Sequence, residues 1–386
     1  MKTNAFLVFF ITVFILYGLL NTYIYLRGLH CLPSRFGWRL SYTIAFWILS
    51  ASFILARILG RISPGNVSEV ISWIGSFWLA AMFYFFLIAL LVDLVRLSDH
   101  FFHFLPGILY KEAGTLRITV FLTSYILVVI LIVAGFINAR SPRIHYLNLK
   151  IDKKVENTRS MRIVMASDIH LGTLVASRRS AYLVNHINSL KPDLILFAGD
   201  LVDEDLEPVI RKNLGNTLSN LKAKYGVYAV TGNHEYIGGV EKAAKYLSSH
   251  GISILRDTSV FVGNGVWLIG REDRAKKFYT GKERKSLNEL MGNIDRSHPV
   301  ILMDHQPFHL EKAAAAGVDL QLSGHTHHGQ IWPLNYITKA MYELSWGYKR
   351  IGKTHYYVSS GFGTWGPPVR IGNRPEIVVI TLEFLK

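Results

Sequence analysis

Four stretches, near residues 5–26, 38–60, 70–95 and 116–138, are apolar with hardly a charge to interrupt them. Each meets the roughly 20 helical residues needed to cross a hydrocarbon core of about 30 Å. A helix that is apolar on all sides has no place on the surface of a water-soluble domain, so residues 1–140 are expected to form a four-helix transmembrane anchor. The first stretch, AFLVFFITVFILYGLL, follows only Lys2 and continues to Leu26 without a small-residue cleavage site. It reads as a retained span and not as a removable signal peptide. Arg39, Arg57 and Asp93 lie near span ends, where charged side chains reach the interface, and they read as ordinary.

The apolar excess stops near residue 140, and a chain of 386 residues requires a second unit beyond it. Lys and Arg number 14 against 5 acids up to Lys154 and 28 against 22 after it, within a net charge of +15. Such charge attracts nucleic acid, anionic headgroups or phosphorylated substrates; beside apolar spans it favours lipid, and no nucleic-acid partner is expected. An even number of spans puts both ends of the anchor on one side. That side holds Lys2, Arg57, Arg61, Arg140, Arg143, Lys150, Lys153 and Lys154, against Arg27, Arg35, Arg39, Arg96, Lys111 and Arg117 on the other, a margin that points to a cytoplasmic C-terminal domain. Residues 141–158, polar and charged around Pro142, read as a juxtamembrane linker. With Cys31 as the one cysteine, no intrachain disulfide can form.

Over residues 159–386 short apolar runs alternate with amphipathic stretches, and polar residues follow the runs directly. RIVMASDIH ends in Asp168 and His170, DLILFAGD in Asp200, YAVTGNHE in Asn233, His234 and Glu235, VILMDHQP carries His305, and DLQLSGHTHH carries His325, His327 and His328. Buried strands of an α/β sheet present ligand-binding groups at their carboxyl ends, so five such ends can converge on one crevice. ASRRSAYLVNHINSL and GVEKAAKYLSSH have the spacing of covering helices, and runs around Val266–Gly270, Tyr356–Ser360 and Ile377–Leu382 supply further strands. Carboxylates, imidazoles and an Asn carbonyl suit divalent ions such as Mn, Fe or Zn. Two such ions about 3.5–4 Å apart can share a water, lower its pKa to make a hydroxide nucleophile and clamp phosphoryl oxygens through an in-line displacement.

In order, SDIH, AGD, TGNHE, DH and GHTHHG resemble the calcineurin-like metallophosphoesterases, whose motifs run D-x-H, G-D, G-N-H-[DE], H and G-H-x-H. The resemblance covers about residues 160–386 and implies an α/β fold, a four-layer αββα sandwich of two mixed sheets. Carried over by position, it implies that Asp168, His170 and His327 hold one divalent metal, that Asn233, His305 and His325 hold a second, and that Asp200 bridges them. His234 would face the substrate and stabilise or protonate the leaving oxygen. Asp203 of GDLVD would orient it, as the second Asp of G-D-x-x-D does in relatives, and a carboxylate partner raises an imidazole pKa. SDIHLG, the GHTH-G-Q block and YVSSGFGTWGPPVRIGNRPEI resemble the bacterial YkuE-like and YaeI-like subgroup, which implies a bacterial cytoplasmic membrane, and the animal transmembrane protein with a metallophosphoesterase domain. Where many relatives have G-H-T-H-G-G-Q, His328 stands before Gly329, either narrowing the pocket or lying at the surface.

The expected reaction is hydrolysis of a phosphomonoester or phosphodiester. Four spans, where one would tether, point to a membrane-associated phospholipid, glycolipid or nucleotide-lipid, and the resemblance adds a precedent in pyrophosphate cleavage of a UDP-diacylglucosamine. The rival readings are a nuclease or protein phosphatase acting on a soluble substrate, and a non-enzymatic sensor. The basic segment REDRAKKFYTGKERK, residues 271–285, reads as a solvated face or as a cover over the site. Ile337–Tyr357 reads as an interfacial segment or a β-hairpin on its own domain. His145, His186, His250, His298, His309 and His355 lack ligand spacing and read as structural or exposed.

Overall fold

The structure, a computed structural model, describes residues 2–107, 112–263 and 265–385; Lys111, counted above in the charge bias, lies outside them. The chain divides into two compact units, Met1–Gly135 and Phe136–Lys386.

Helices α1 (Lys2–Cys31), α2 (Phe36–Ile62), α3 (Asn66–Phe102) and α4 (Ala113–Ala139) build the first unit, α4 running on into the second. All four are long and apolar enough to cross a membrane. Phe14, Leu19, Ile48 and Ile130 are among the many large apolar side chains they leave exposed, a surface that suits lipid and not water. Close approach inside the bundle relies on a small residue: a Cβ on Gly75 of α3 would come within 2.5 Å of the Phe53 Cα on α2. Asn21, fully buried on α1, is satisfied on both sides of its amide. It accepts from Trp78 Nε1 at 3.0 Å and donates to the Tyr17 carbonyl at 2.8 Å, which ties α1 to α3 by a polar contact in an apolar medium.

The second unit contains β1 (Arg143–Lys154), β2 (Ser160–Ala166), β3 (Leu194–Phe197), β4 (Val227–Ala229), β5 (Ser253–Ile254), β6 (Thr258–Val262), β7 (Val266–Gly270), β8 (Val300–Met303), β9 (Leu320–Ser323), β10 (Gly347–Ile351), β11 (Thr354–Val358) and β12 (Glu376–Leu385). They form two six-stranded sheets, ordered β1-β12-β2-β3-β4-β5 and β10-β11-β9-β8-β7-β6. Both are mixed: β12 runs antiparallel to β2 beside the parallel set β2 to β5, and antiparallel β6 and β10 flank the parallel set β7, β8, β9 and β11. Side chains alternate along β2. Met161, Ile163 and Met165 meet Leu268, Met303 and Leu322 of the other sheet, while Val164 and Ala166 pack with Leu183 and Ile187 of the covering helix α5 (Ser177–Ser189). Outside the second sheet Ile269, Val300 and Leu302 pack with Leu290, Leu310 and Ala313 of short helices. The result is the helix, sheet, sheet, helix layering that the resemblance implied. Strands covered on both faces bury every side chain, which is why they stand out as unbroken apolar runs.

One expectation is corrected. Most of residues 141–158, read as a linker, fold as the edge strand β1, paired in parallel with β12 from Arg143 against Glu376 onward. Charge masked a period of two: Leu149 and Ile151 are buried, whereas Asn148, Lys150 and Asp152 face out. Of the two readings for Ile337–Tyr357, the hairpin forms from β10 and β11, preceded by a helix over Leu334–Met341.

Because β12 lies between β1 and β2 and Ile380 is fully buried there, Ile380→Ala is expected to cost about 2–5 kcal/mol of stability. Denaturant unfolding of the full-length protein, followed by tryptophan fluorescence, checks this; a midpoint equal to that of the parent would contradict the central place of β12.

Candidate metal centre

The chemistry-bearing residues come just after strands, in loops or at the start of the next helix. Asp168 and His170 follow β2, Asp200 follows β3, Asn233 and His234 follow β4, His305 follows β8, and His325 and His327 follow β9. To turn that sharply, Asp168, His170, Asp200, His325 and His327 all adopt left-handed backbone, with φ between 46° and 71°. Asp, Asn and His tolerate this region best after Gly, and the cost of order 1–3 kcal/mol per residue persists only where surroundings hold the turn. Here they do. Asp168 N donates to Gly199 O and His170 N to Asp200 O, both at 3.0 Å, so the loops after β2 and β3 are stitched together. Gly324 N donates to His305 O at 2.9 Å, joining the loops after β8 and β9, and His325 N donates to Asp168 Oδ1 at 2.9 Å, joining the two sheets.

The side chains meet in three trios, within each of which the donor atoms lie within 4.8 Å of one another: Asp168 with His170 and His327, Asp200 with His305 and His325, and His170 with Asp203 and His234. His170 Nε2 faces His327 Nε2 at 3.0 Å, and Asp168 Oδ1 is 3.5 Å from the latter. His305 Nε2 lies 3.1 Å from Asp200 Oδ2, and His325 Nδ1 lies 2.8 Å from Asn233 Oδ1. Asp200 Oδ2 is also 4.0 Å from His170 Nε2, which puts this carboxylate against both of the first two trios. Asp203 Oδ1 accepts from His234 Nδ1 at 3.0 Å and lies 3.7 Å from His170 Nδ1, although a third of its side chain stays exposed. All the residues assigned by resemblance are thus brought to one locus.

The donor set fits divalent cations. Asp168 and Asp200 are almost completely buried, and a buried carboxylate is costly without a positive partner. Among the described residues His170 Nδ1 and His305 Nε2 are buried with no hydrogen bond, the latter close to Asp200 but misaligned for one. Oxygen and imidazole donors without a thiolate suit ions of intermediate softness. Burial and the neighbouring His305 hold His325 down to about 3, and burial keeps His327 well below its ordinary value, so both rings retain a lone pair. His234 differs. Burial opposes its charge, but the Asp200 carboxylate and the hydrogen bond to Asp203 outweigh that and push it up to about 9.

Three residues support the centre in roles that the sequence reading did not assign. Glu235, buried beside His234, accepts backbone N–H groups from Leu201 at 2.7 Å, Val202 at 3.0 Å, Asp200 at 3.2 Å and Gly232 at 2.7 Å, and so shapes the turn that carries Asp200. Its signal was the acid that ends TGNHE. Ser167 hydrogen-bonds Asp168 Oδ2. Arg370, fully buried, reaches the Gly363 carbonyl at 2.7 Å and lies 3.2 Å from His327 Nδ1. His328 is buried and not at the surface, but it turns toward Ser345 and Trp346 and stays outside the trios. The basic segment 271–285 is largely paired: Arg271 and Arg284 bind Asp304, Lys276 binds Asp257 and Lys277 binds Glu283.

Residues 161–329 match the family model described as Calcineurin-like phosphoesterase. An "Uncharacterized metallophosphoesterase" of Helicobacter pylori is 36% identical over 239 residues, which cover 60% of this chain and 61% of that protein's own length. A protein of Campylobacter jejuni, also described as an uncharacterized metallophosphoesterase, is 30% identical over 394 residues, 99% of this chain and 100% of the relative. The "Transmembrane protein with metallophosphoesterase domain" of Danio rerio is 31% identical over 284 residues, 70% of this chain and 64% of the relative.

At Gly232 a Cβ would collide with the Asp200 carboxylate. Gly232→Ala is therefore expected to displace Asp200 and lower bound divalent metal, measured by elemental analysis of purified protein; undiminished metal content would show that the centre does not depend on this seat.

Proposed function

The chain belongs to the calcineurin-like metallophosphoesterases, hydrolases of phosphate esters, and on that premise we propose that it cleaves a phosphomonoester or phosphodiester of a membrane-associated phospholipid, glycolipid or nucleotide-lipid with two divalent ions. One observation carries the reading. Two trios, Asp168 with His170 and His327 and Asp200 with His305 and His325, buried except for a partly exposed His325, lie side by side, and Asp200 stands against both. In this reading Asp168, His170 and His327 would hold one ion, His305, His325 and Asn233 would hold the other, and Asp200 would serve both. Bound there, Mn, Fe or Zn would supply Lewis acidity toward phosphoryl oxygens and a nucleophile at neutral pH.

The chain's own groups do the rest. His234 keeps its Nδ1 proton on Asp203, which fixes the ring and leaves Nε2 for the leaving oxygen, and the two nearby carboxylates favour the charged, proton-donating form. Glu235 and the stitched loops keep Asp200 and Asp168 from relaxing toward water, so the donors are preorganised. Four apolar helices support a lipid-linked substrate, and the Lys and Arg bias supports a cytoplasmic catalytic unit.

His234→Ala is expected to slow hydrolysis of bis(p-nitrophenyl) phosphate by the full-length protein roughly 100-fold or more. Asp200→Asn is expected to abolish it together with bound metal; unchanged turnover in either purified variant would remove the assignment. For the substrate, full-length protein loaded with Mn should deplete one phosphate-containing class from extracted membrane lipids, followed by mass spectrometry. Depletion of none, with hydrolysis of soluble DNA or phosphoprotein that survives removal of residues 1–140, would replace the lipid with a soluble substrate.

A further inference from the structure

The first unit carries a half-open cavity of about 920 Å³ lined by none of the metal-centre residues. Ile24 and Arg27 of α1, Tyr42 of α2, and long tracts of α3 and α4 line it. Its lining is graded. Arg27, Arg96 and Arg117 stand toward one end, whereas Phe85 and Ile88 of α3 and Tyr125 of α4 lie further along. At 1.5 Å per residue, Phe85 is about 16 Å from Arg96 along α3, and Tyr125 about 12 Å from Arg117 along α4. The apolar span near 70–95 ends beside Arg96, so the arginines stand at headgroup level and the aromatic residues within the hydrocarbon.

The charges do not cancel. Arg27 Nη2 is 2.6 Å from Asp93 Oδ2, which also accepts the Tyr23 hydroxyl at 2.5 Å. Asp99, the other acid in the lining, turns its Oδ1 to the Leu105 backbone N–H at 2.8 Å. Among the described residues, Arg96 and Arg117 have no carboxylate within ion-pair distance. Arg96 and Arg117 are exposed, as arginines at a span edge commonly are, but both also line this cavity, and basic pockets between membrane helices take anionic headgroups.

We propose that this cavity binds an anionic phospholipid, with Arg96 and Arg117 on the headgroup phosphate, Arg27 beside them and an acyl chain lying along Phe85, Ile88 and Tyr125. A phosphate ion alone would leave the apolar depth empty, since the volume lies toward the upper end of the roughly 300–1,000 Å³ typical of ligand pockets. A zwitterionic lipid would bring its own ammonium to face the arginines, so net negative charge is selected. No lining residue belongs to the unit that carries the metal centre, and the site stands or falls independently of the hydrolytic reading.

The test is native mass spectrometry of the full-length protein in mild detergent, titrated with phosphatidylglycerol or phosphatidylcholine. Phosphatidylglycerol should be retained more tightly, and Arg96→Gln/Arg117→Gln should weaken its retention roughly tenfold or more while leaving phosphatidylcholine unaffected. Ile88→Trp, which fills the apolar depth without touching a charge, should also reduce retention, and a parental thermal midpoint shows that each variant is folded. Equal retention of the two lipids by the parent, or undiminished phosphatidylglycerol on both variants, would overturn the proposal. Displacement of the lipid by millimolar inorganic phosphate would also overturn it, by reassigning the site to a free anion.

Discussion

Asp168 and Asp200 sit with almost no access to water among five imidazoles, and an ionised carboxylate in such a place costs several kcal/mol unless positive charge and hydrogen bonds compensate it. Most of the second unit can be understood as the means of meeting that cost. Asp168 takes the N–H of His325 and the hydroxyl of Ser167, and Asp200 takes the N–H of His234 and the contact with His305. These bonds draw together loops from both sheets, so the electrostatic requirement and the sandwich architecture are one problem. The left-handed turns at five of the residues follow from it, because only a sharp reversal after each strand aims so many short side chains at one place.

The strand ends were legible because strands buried on both faces read as continuous apolar runs, so the first polar residues after each run announce themselves. SDIH, AGD, TGNHE, DH and GHTHHG are such announcements, and spacing could recover them without coordinates. The edge strand β1 was not legible in the same way. It is buried on one face only, its outward Lys150 and Asp152 resemble a connector, and only the alternation through Leu149 and Ile151 betrays it. Arg370 was hidden for another reason: arginine is rarely fully buried, and nothing in its neighbourhood tells that backbone carbonyls of Gly361 and Gly363 will receive it.

Charge in this chain is read correctly only after pairing. The segment 271–285 looks like a basic surface in sequence, yet Asp304 and Asp257, distant along the chain, absorb much of it. Between the membrane helices the opposite holds. Few charges are present, but Arg96 and Arg117 lack carboxylate partners among the described residues, and two such cations beside apolar walls mean more than the four paired ones of that segment.

The insertion of β12 between β1 and β2 has a consequence for biosynthesis. The ribosome delivers β1 and β2 early and β12 after every other strand of either sheet, more than 200 residues later. Until then, β1 has no neighbour and β2 is bare along one edge, while the apolar helices preceding them have already been handed to the insertion machinery. The anchor can thus be in the bilayer before the second unit closes. Its nascent form must be kept from pairing its open edge with other chains, because long-range strand pairing is slow and unpaired edges aggregate.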